Sequence, residues 1–295
     1  MTTPTGVPTG PPAGTDIEPG GAGARAASET ESPMTEQTRR RLLEVDDLHV
    51  HLGSPRRHIL RGVSLSVPAG AVLGLVGESG SGKSTLAKTL VGVHRPSGGA
   101  VRFDGRDCLA PGRRERARLR RDIQYVPQDP YSSLDPRRTI GQTIAEALDP
   151  RRARVGANLA RITELLETVQ LDGSAVHRYP REFSGGQRQR VAIARALAVR
   201  PSLVIADEIT SALDLSTQAE VLDLLARLKE SIGLTLVFVS HDLAVVRSIS
   251  DSVLVLLHGE VVESGPTRQV FEEPRAEYTR TLIDSAPGGP GFSLD

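Results

Sequence analysis

Residues 71–90 read AVLGLVGESGSGKSTLAKTL, and this stretch decides the fold. Its first part, AVLGLVG (71–77), is almost continuously apolar, as expected of a strand buried on both faces. The nine residues from Gly77, namely Gly77-Glu78-Ser79-Gly80-Ser81-Gly82-Lys83-Ser84-Thr85, satisfy the spacing G-x-x-x-x-G-K-[ST]. Glycines let the backbone wrap around phosphates, and the amides and the following helix N-terminus face the anion. Lys83 then reaches the β- and γ-phosphates while Ser84 ligates Mg²⁺. With 29 glycines and three lysines in 295 residues, chance would produce the pattern in roughly half a percent of such chains. Its setting, between a buried strand and TLAKTLVG, makes accident rarer still.

Working outward, short apolar runs alternate with helical stretches. LLEV (42–45), DIQYVP (122–127), LVIAD (203–207), LTLVFVS (234–240) and SVLVLL (252–257) read as strands; 155–170, 186–199 and 216–231 read as helices. Val221, Leu222, Leu224, Leu225 and Leu228 form an apolar stripe that packs a core. The alternation implies an α/β fold with a largely parallel sheet. With four Tyr, five Phe and no Trp, the core must be aliphatic. The single cysteine, Cys108, excludes an internal disulfide and fits a reducing compartment. No apolar run approaches the ~18–20 residues of a membrane span, so work at a membrane requires another chain to cross it.

Residues 1–41, rich in Pro, Gly and Thr, are expected to be a disordered tail without the apolar stretch of a secretory signal. Met34 lies just before the first apolar segment and is an expected alternative translation start. The 36 basic and 36 acidic side chains cancel, which argues against a strongly basic nucleic-acid binder. The stretch GRRERARLRRD (112–122) has acids interspersed and no aromatic for base stacking; it reads as a solvated helix surface, and no nucleic-acid partner is expected.

LVIADEITSALD (203–214) places Asp207 and Glu208 at the end of a buried strand. In ATPases with a phosphate loop, an Asp there holds Mg²⁺ through water, and an adjacent carboxylate orients and deprotonates the attacking water. Alone, such a pair is also what a solvated strand end carries. In EFSGGQRQRVAIARAL (182–197), Ser184 and Gln187 fit the S-x-x-Q pattern that opens a helix, with Gly185 and Gly186 between them.

FSGGQ (183–187) resembles the signature motif of ATP-binding cassette (ABC) ATPases. The other members of that set stand at matching positions. Gln128 fits the Q-loop, Ser211-Ala212-Leu213-Asp214 the D-loop, and His241 in FVSHDL the switch histidine. The resemblance implies a phosphate-loop NTPase core with a mainly parallel sheet, an antiparallel β subdomain and a helical signature subdomain. It implies ATP and Mg²⁺ as cofactors, with Ser84, Asp207 and Gln128 toward the metal, Glu208 as base, and Lys83 and His241 at the γ-phosphate. It further implies two cassettes meeting head to tail, so that Ser184, Gly185, Gly186, Gln187 and Asp214 complete the other subunit's site.

QDPYSSLDPRRTIGQTI (128–144), RYPREFSGGQRQR (178–190) and EYTRTLIDSAP (277–287) together resemble ATPase subunits of bacterial oligopeptide, dipeptide and nickel importers. This divides the chain into a cassette at 42–266, with a helical subdomain at about 130–200, and a C-terminal extension at 267–295. The implied partners are integral membrane permease subunits, a second, unlike ATPase subunit, and indirectly an extracellular binding protein. The implied place is peripheral, at the cytoplasmic face of the cell membrane. The alternative is a soluble accessory ABC ATPase of the phosphonate-breakdown type. Two departures stand out: Ile209 replaces the usual Pro after the acidic pair, and Leu52 stands where many members stack an aromatic on adenine, leaving His51 or His58 to substitute.

Overall fold

The computed structural model describes residues 40–285; the assignments made for most of the tail, for Met34 and for the last ten residues lie outside them. Two sheets organise the described residues. The larger has the order β10-β9-β3-β8-β7-β6. Its strands are β3 (Val72–Val76), β6 (Ile123–Val126), β7 (Leu203–Asp207), β8 (Thr235–Val239), β9 (Ser252–Leu257) and β10 (Glu260–Pro266). All neighbours are parallel except the β9–β10 hairpin. β3, β7 and β8 are buried at every residue, which explains their unbroken apolar runs.

The smaller sheet has the order β2-β1-β4-β5 and is antiparallel, from β1 (Arg41–Leu52), β2 (Arg57–Pro68), β4 (Gly98–Phe103) and β5 (Arg106–Asp107). The expected strand at 42–45 is therefore the start of a 12-residue strand in this second sheet, opening one residue inside the stretch assigned to the tail. β2 escaped the reading because polar residues face solvent along it, so its apolar residues never form a run.

Helices fill the intervals: α1 (Lys83–Leu90), α2 (Arg113–Asp122), α3 (Pro130–Ser133), α4 (Ile140–Leu148), α5 (Val155–Thr168), α6 (Gly185–Leu197), α7 (Leu215–Ile232), α8 (Leu243–Ile249), α9 (Thr267–Glu272) and α10 (Glu277–Asp284). α2 is the arginine-rich stretch and has no buried residue. The large sheet separates two cores. Val204, Ala206 and Phe238 share one with Val191 of α6 and Val221 and Leu224 of α7. Ile205, Val237 and Leu254 share the other with Leu86 of α1 and Leu43 and Leu60 of the small sheet. This alternation follows from the two-residue period of a strand. Among the described residues no helix is long and apolar enough to cross a membrane.

Candidate functional site

The loop from Gly77 to Gly82 joins the end of β3 to α1. Gly77 holds φ at 144°, and a Cβ there would lie 2.1 Å from the carbonyl oxygen of Leu256, so only glycine fits the turn. Lys83 is 4% exposed, and its Nζ donates to the carbonyls of Gly77 at 2.7 Å and Glu78 at 2.8 Å. Burial lowers its pKa, opposed by the charges of Glu208, Asp207 and Glu78. The buried Ser81 hydroxyl has no hydrogen-bond partner among the described residues. A buried polar atom without a partner is costly unless a ligand supplies one. Glu78, Ser79 and Gly80 are exposed, while Ser84 and Thr85 lie in the first turn of α1.

Asp207, at the end of β7, is 3% exposed. Its Oδ1 accepts from the Ser84 hydroxyl at 3.0 Å and its Oδ2 from the Tyr125 phenol at 2.8 Å. Burial, then the hydrogen bond to Asp207 and its charge, push the Tyr125 pKa up, so the phenol stays protonated. Next in the chain, Glu208 adopts φ 50°, with its amide bonded to the Val239 carbonyl at 2.9 Å. A left-handed backbone costs a non-glycine residue about 1–3 kcal/mol, and the strand-end contact holds it there. The carboxylate accepts from Gln128 Nε2 at 2.9 Å and lies 3.5 Å from His241 Nδ1. Ser211 donates to the Glu208 carbonyl at 2.9 Å, closing the turn after the acidic pair. Ile209 is buried in the core shared with α6 and α7.

The structure thus brings Gly77–Thr85, Gln128, Asp207, Glu208 and His241 together. Ser184, Gly185, Gly186, Gln187 and Asp214 form a second group. Ser184 caps α6, its hydroxyl accepting from the Gln187 amide at 3.3 Å while the Gln187 side chain accepts from the Ser184 amide at 3.1 Å. A Cβ on Gly186 would lie 2.0 Å from Thr217 Cγ2. Thr217 is in turn bound through its amide (3.0 Å) and hydroxyl (2.8 Å) to Asp214, the cap of α7; these bonds lower the Asp214 pKa. Among the described residues no hydrogen bond or ion pair joins this group to the phosphate loop.

At the edge of the small sheet, the rings of His51 and His58 stack with centroids 4.2 Å apart and an interplanar angle of 6°. His49 Nδ1 lies 3.2 Å from His58 Nε2, and His51 Nδ1 lies 2.8 Å from the Ser97 hydroxyl. Leu60, two residues beyond His58 on β2, abuts Gly82, so this strand approaches the phosphate loop.

Two contacts were missed from sequence. Tyr125 reads from sequence only as part of a strand; its register beside Ile205 puts it on the Asp207 face, a signal available only after β6 is paired with β7. Tyr278 of α10 accepts a hydrogen bond from the Glu78 amide at 3.1 Å. Glu263 fixes the start of that helix by accepting from the amides of Arg275 (2.9 Å) and Ala276 (3.0 Å). No sequence signal linked residues 200 positions apart.

A family model described as ABC transporter matches residues 60–211. The chain belongs to the ABC transporter family. Over 240 residues it is 44% identical to a putative peptide import ATP-binding protein of Brucella ovis, covering 81% of this chain and 76% of that protein. Over 233 residues it is 48% identical to the glutathione import ATP-binding protein GsiA of Shigella dysenteriae, covering 78% of this chain but 37% of that longer protein. Two solved structures share the fold of this ABC ATPase. CbiO1 from Clostridium perfringens, part of the transporter complex CbiONQ, has a TM-score of 0.71 at 29% identity, covering 79% of this chain and 91% of that one. The dimeric ATP-binding cassette MJ0796, in a post-hydrolysis state bound to ADP and Pi, has a TM-score of 0.67 at 30% identity, covering 77% and 99%.

Proposed function

We propose that this ABC ATPase binds ATP with Mg²⁺ around Lys83 and hydrolyses it to energise an importer for peptides or a related small solute. The observation that carries the reading is the convergence of Gln128 and His241 on the Glu208 carboxylate, beside the Ser84–Asp207 pair. The loop fits a triphosphate: Ser81 offers an unpartnered hydroxyl, and Lys83 holds two carbonyls that phosphate oxygens can replace. Among the described residues there is no cluster of three or more His, Cys, Asp or Glu able to hold a metal. Mg²⁺ needs none at such a loop, since phosphate oxygens and water complete its shell.

In this reading Gly77–Thr85 cradle the phosphates, and Ser84, Asp207 and Gln128 hold the metal. Mg²⁺, when bound, screens charge on the β- and γ-phosphate oxygens. Glu208 takes a proton from the attacking water as its oxygen bonds to the γ-phosphorus and ADP leaves. His241 and Lys83 stabilise the γ-phosphate oxygens. The stacked His51–His58 pair offers adenine the flat face that Leu52 does not.

The remoteness of the signature group supports a head-to-tail dimer, in which Ser184, Gly185, Gly186, Gln187 and Asp214 complete a second, unlike cassette's site. The capped N-terminus of α6 suits γ-phosphate contact. Residues 42–266 then form the cassette, with the helical subdomain at about 130–200, and 267–295 the C-terminal extension. Permease subunits supply the membrane span, an extracellular binding protein delivers the solute, and this chain sits peripherally at the cytoplasmic face. The import names of its relatives favour this over a soluble accessory role.

The test is reconstitution of this chain in vesicles with the permease subunits that co-purify with it from membranes. ATP-dependent uptake of a short peptide is expected only with the chain present and is lost with Glu208→Gln. Full uptake without the chain would rule the reading out.

A further inference from the structure

Asp207 ends a strand buried at all five positions and is itself 3% exposed, so its two carboxylate oxygens depend on protein partners. Each has a different one. Oδ1 accepts from Ser84 at 3.0 Å, on the phosphate-loop side, and Oδ2 accepts from the Tyr125 phenol at 2.8 Å. β6 and β7 run parallel with Tyr125 beside Ile205. Ile205 and Asp207 are two residues apart and share a face, so the long tyrosine side chain reaches along the sheet to the carboxylate. A shorter or apolar side chain at position 125 would pack against the same core but leave Oδ2 without its donor.

Two hydrogen bonds from different elements, one on each oxygen, fix the plane of a carboxylate that a single bond would let rotate. We infer that Tyr125 is a positioning residue for the metal site: its phenol locks Asp207 in the orientation from which, with Ser84, it holds nucleotide-bound Mg²⁺. The inference rests on the proposed reading of Ser84 and Asp207 as metal-holding residues. Tyr125 touches neither phosphate nor metal in this assignment and acts only through Asp207.

The test compares the full-length chain with Tyr125→Phe, which keeps the ring and removes one oxygen. Mn²⁺ serves as the probe, its binding to the ADP-loaded chain followed by electron paramagnetic resonance. ADP affinity in EDTA and the thermal midpoint are measured alongside. Removing a partner that orients a metal-holding side chain weakens metal binding by about tenfold or more. The expected result is such a loss for Mn²⁺ with metal-free ADP affinity unchanged, the thermal midpoint falling only by the few degrees that one buried hydrogen bond is worth. In an Asp207→Asn background the same substitution should add little further loss, because the two residues act as one unit.

Unchanged Mn²⁺ affinity in Tyr125→Phe would overturn the inference while leaving the nucleotide site intact. So would a fall in metal-free ADP affinity as large as the fall in Mn²⁺ affinity, which marks a packing role only. Failure of the unsubstituted chain to bind Mn²⁺ with ADP would overturn the metal-site reading itself, and this inference with it.

Discussion

Gln128 Nε2 donates to Glu208 Oε2 across 2.9 Å, joining two residues 80 positions apart. The bond ties the segment leading into α3 to the carboxylate that stands beside the phosphate loop. His241 approaches the same oxygen at 3.5 Å, so one carboxylate collects both groups.

If Glu208 is the base, Glu208→Gln should keep the shape and the Gln128 contact while removing proton acceptance. ATP binding should be unchanged and hydrolysis should fall at least ~100-fold, the usual worth of general-base catalysis. Equilibrium binding of a fluorescent nucleotide and steady-state phosphate release check the two halves. Normal turnover would remove Glu208 from the role.

Ser184→Arg places a long cation at the N-terminus of α6, where it meets the incoming γ-phosphate of a second subunit but not the chain's own loop. Nucleotide should still bind, whereas ATP-dependent association, read by light scattering, and hydrolysis should both be lost. Unchanged hydrolysis contradicts a site shared between subunits. Gly186→Ala separates packing from that role: its Cβ collides with Thr217, and overpacking of this kind costs about 1–3 kcal/mol in denaturant unfolding.

Tyr278→Phe removes the acceptor for the Glu78 amide without disturbing the ring. A net hydrogen bond is worth about 0.5–1.5 kcal/mol, so nucleotide affinity should weaken about two- to tenfold if the extension steadies the phosphate loop. The thermal midpoint should move little. Affinity identical to the parent chain would make the contact incidental.

His58 sits among His49, His51 and Arg61, with Asp47 bonded to His49. Burial, then the charges of His51, His49 and Arg61, lower its pKa below the ordinary 6.5. The neutral His58 ring is therefore fully present above that value and is lost as pH falls through the lowered one. If adenine rests on the pair, ATP should bind more weakly at about pH 5.5 than at about pH 7.5. The parent chain should show this slope and His51→Phe/His58→Phe should flatten it. An equal slope in both would place adenine elsewhere.

The strand, loop and helix at 71–90, the adjacent Asp207 and Glu208 at a strand end, the capped start of α6 and the α/β core were legible in the sequence. Each depends on local spacing: Gly77 to Ser84 is one turn of backbone into one helix, and β3, β7 and β8 are apolar at nearly every position because both faces are covered. Local spacing misread β1 as four residues and passed over β2, whose half-exposed residues carry no continuous pattern. Only tertiary structure decided what reaches Asp207 and Glu78. Tyr125 and Tyr278 look like ordinary core tyrosines until β6 is registered against β7 and Glu263 sets the start of α10. The reason is physical: a motif is fixed by its chain neighbours, whereas a hydrogen-bond partner 82 or 200 residues away is set by how the elements pack.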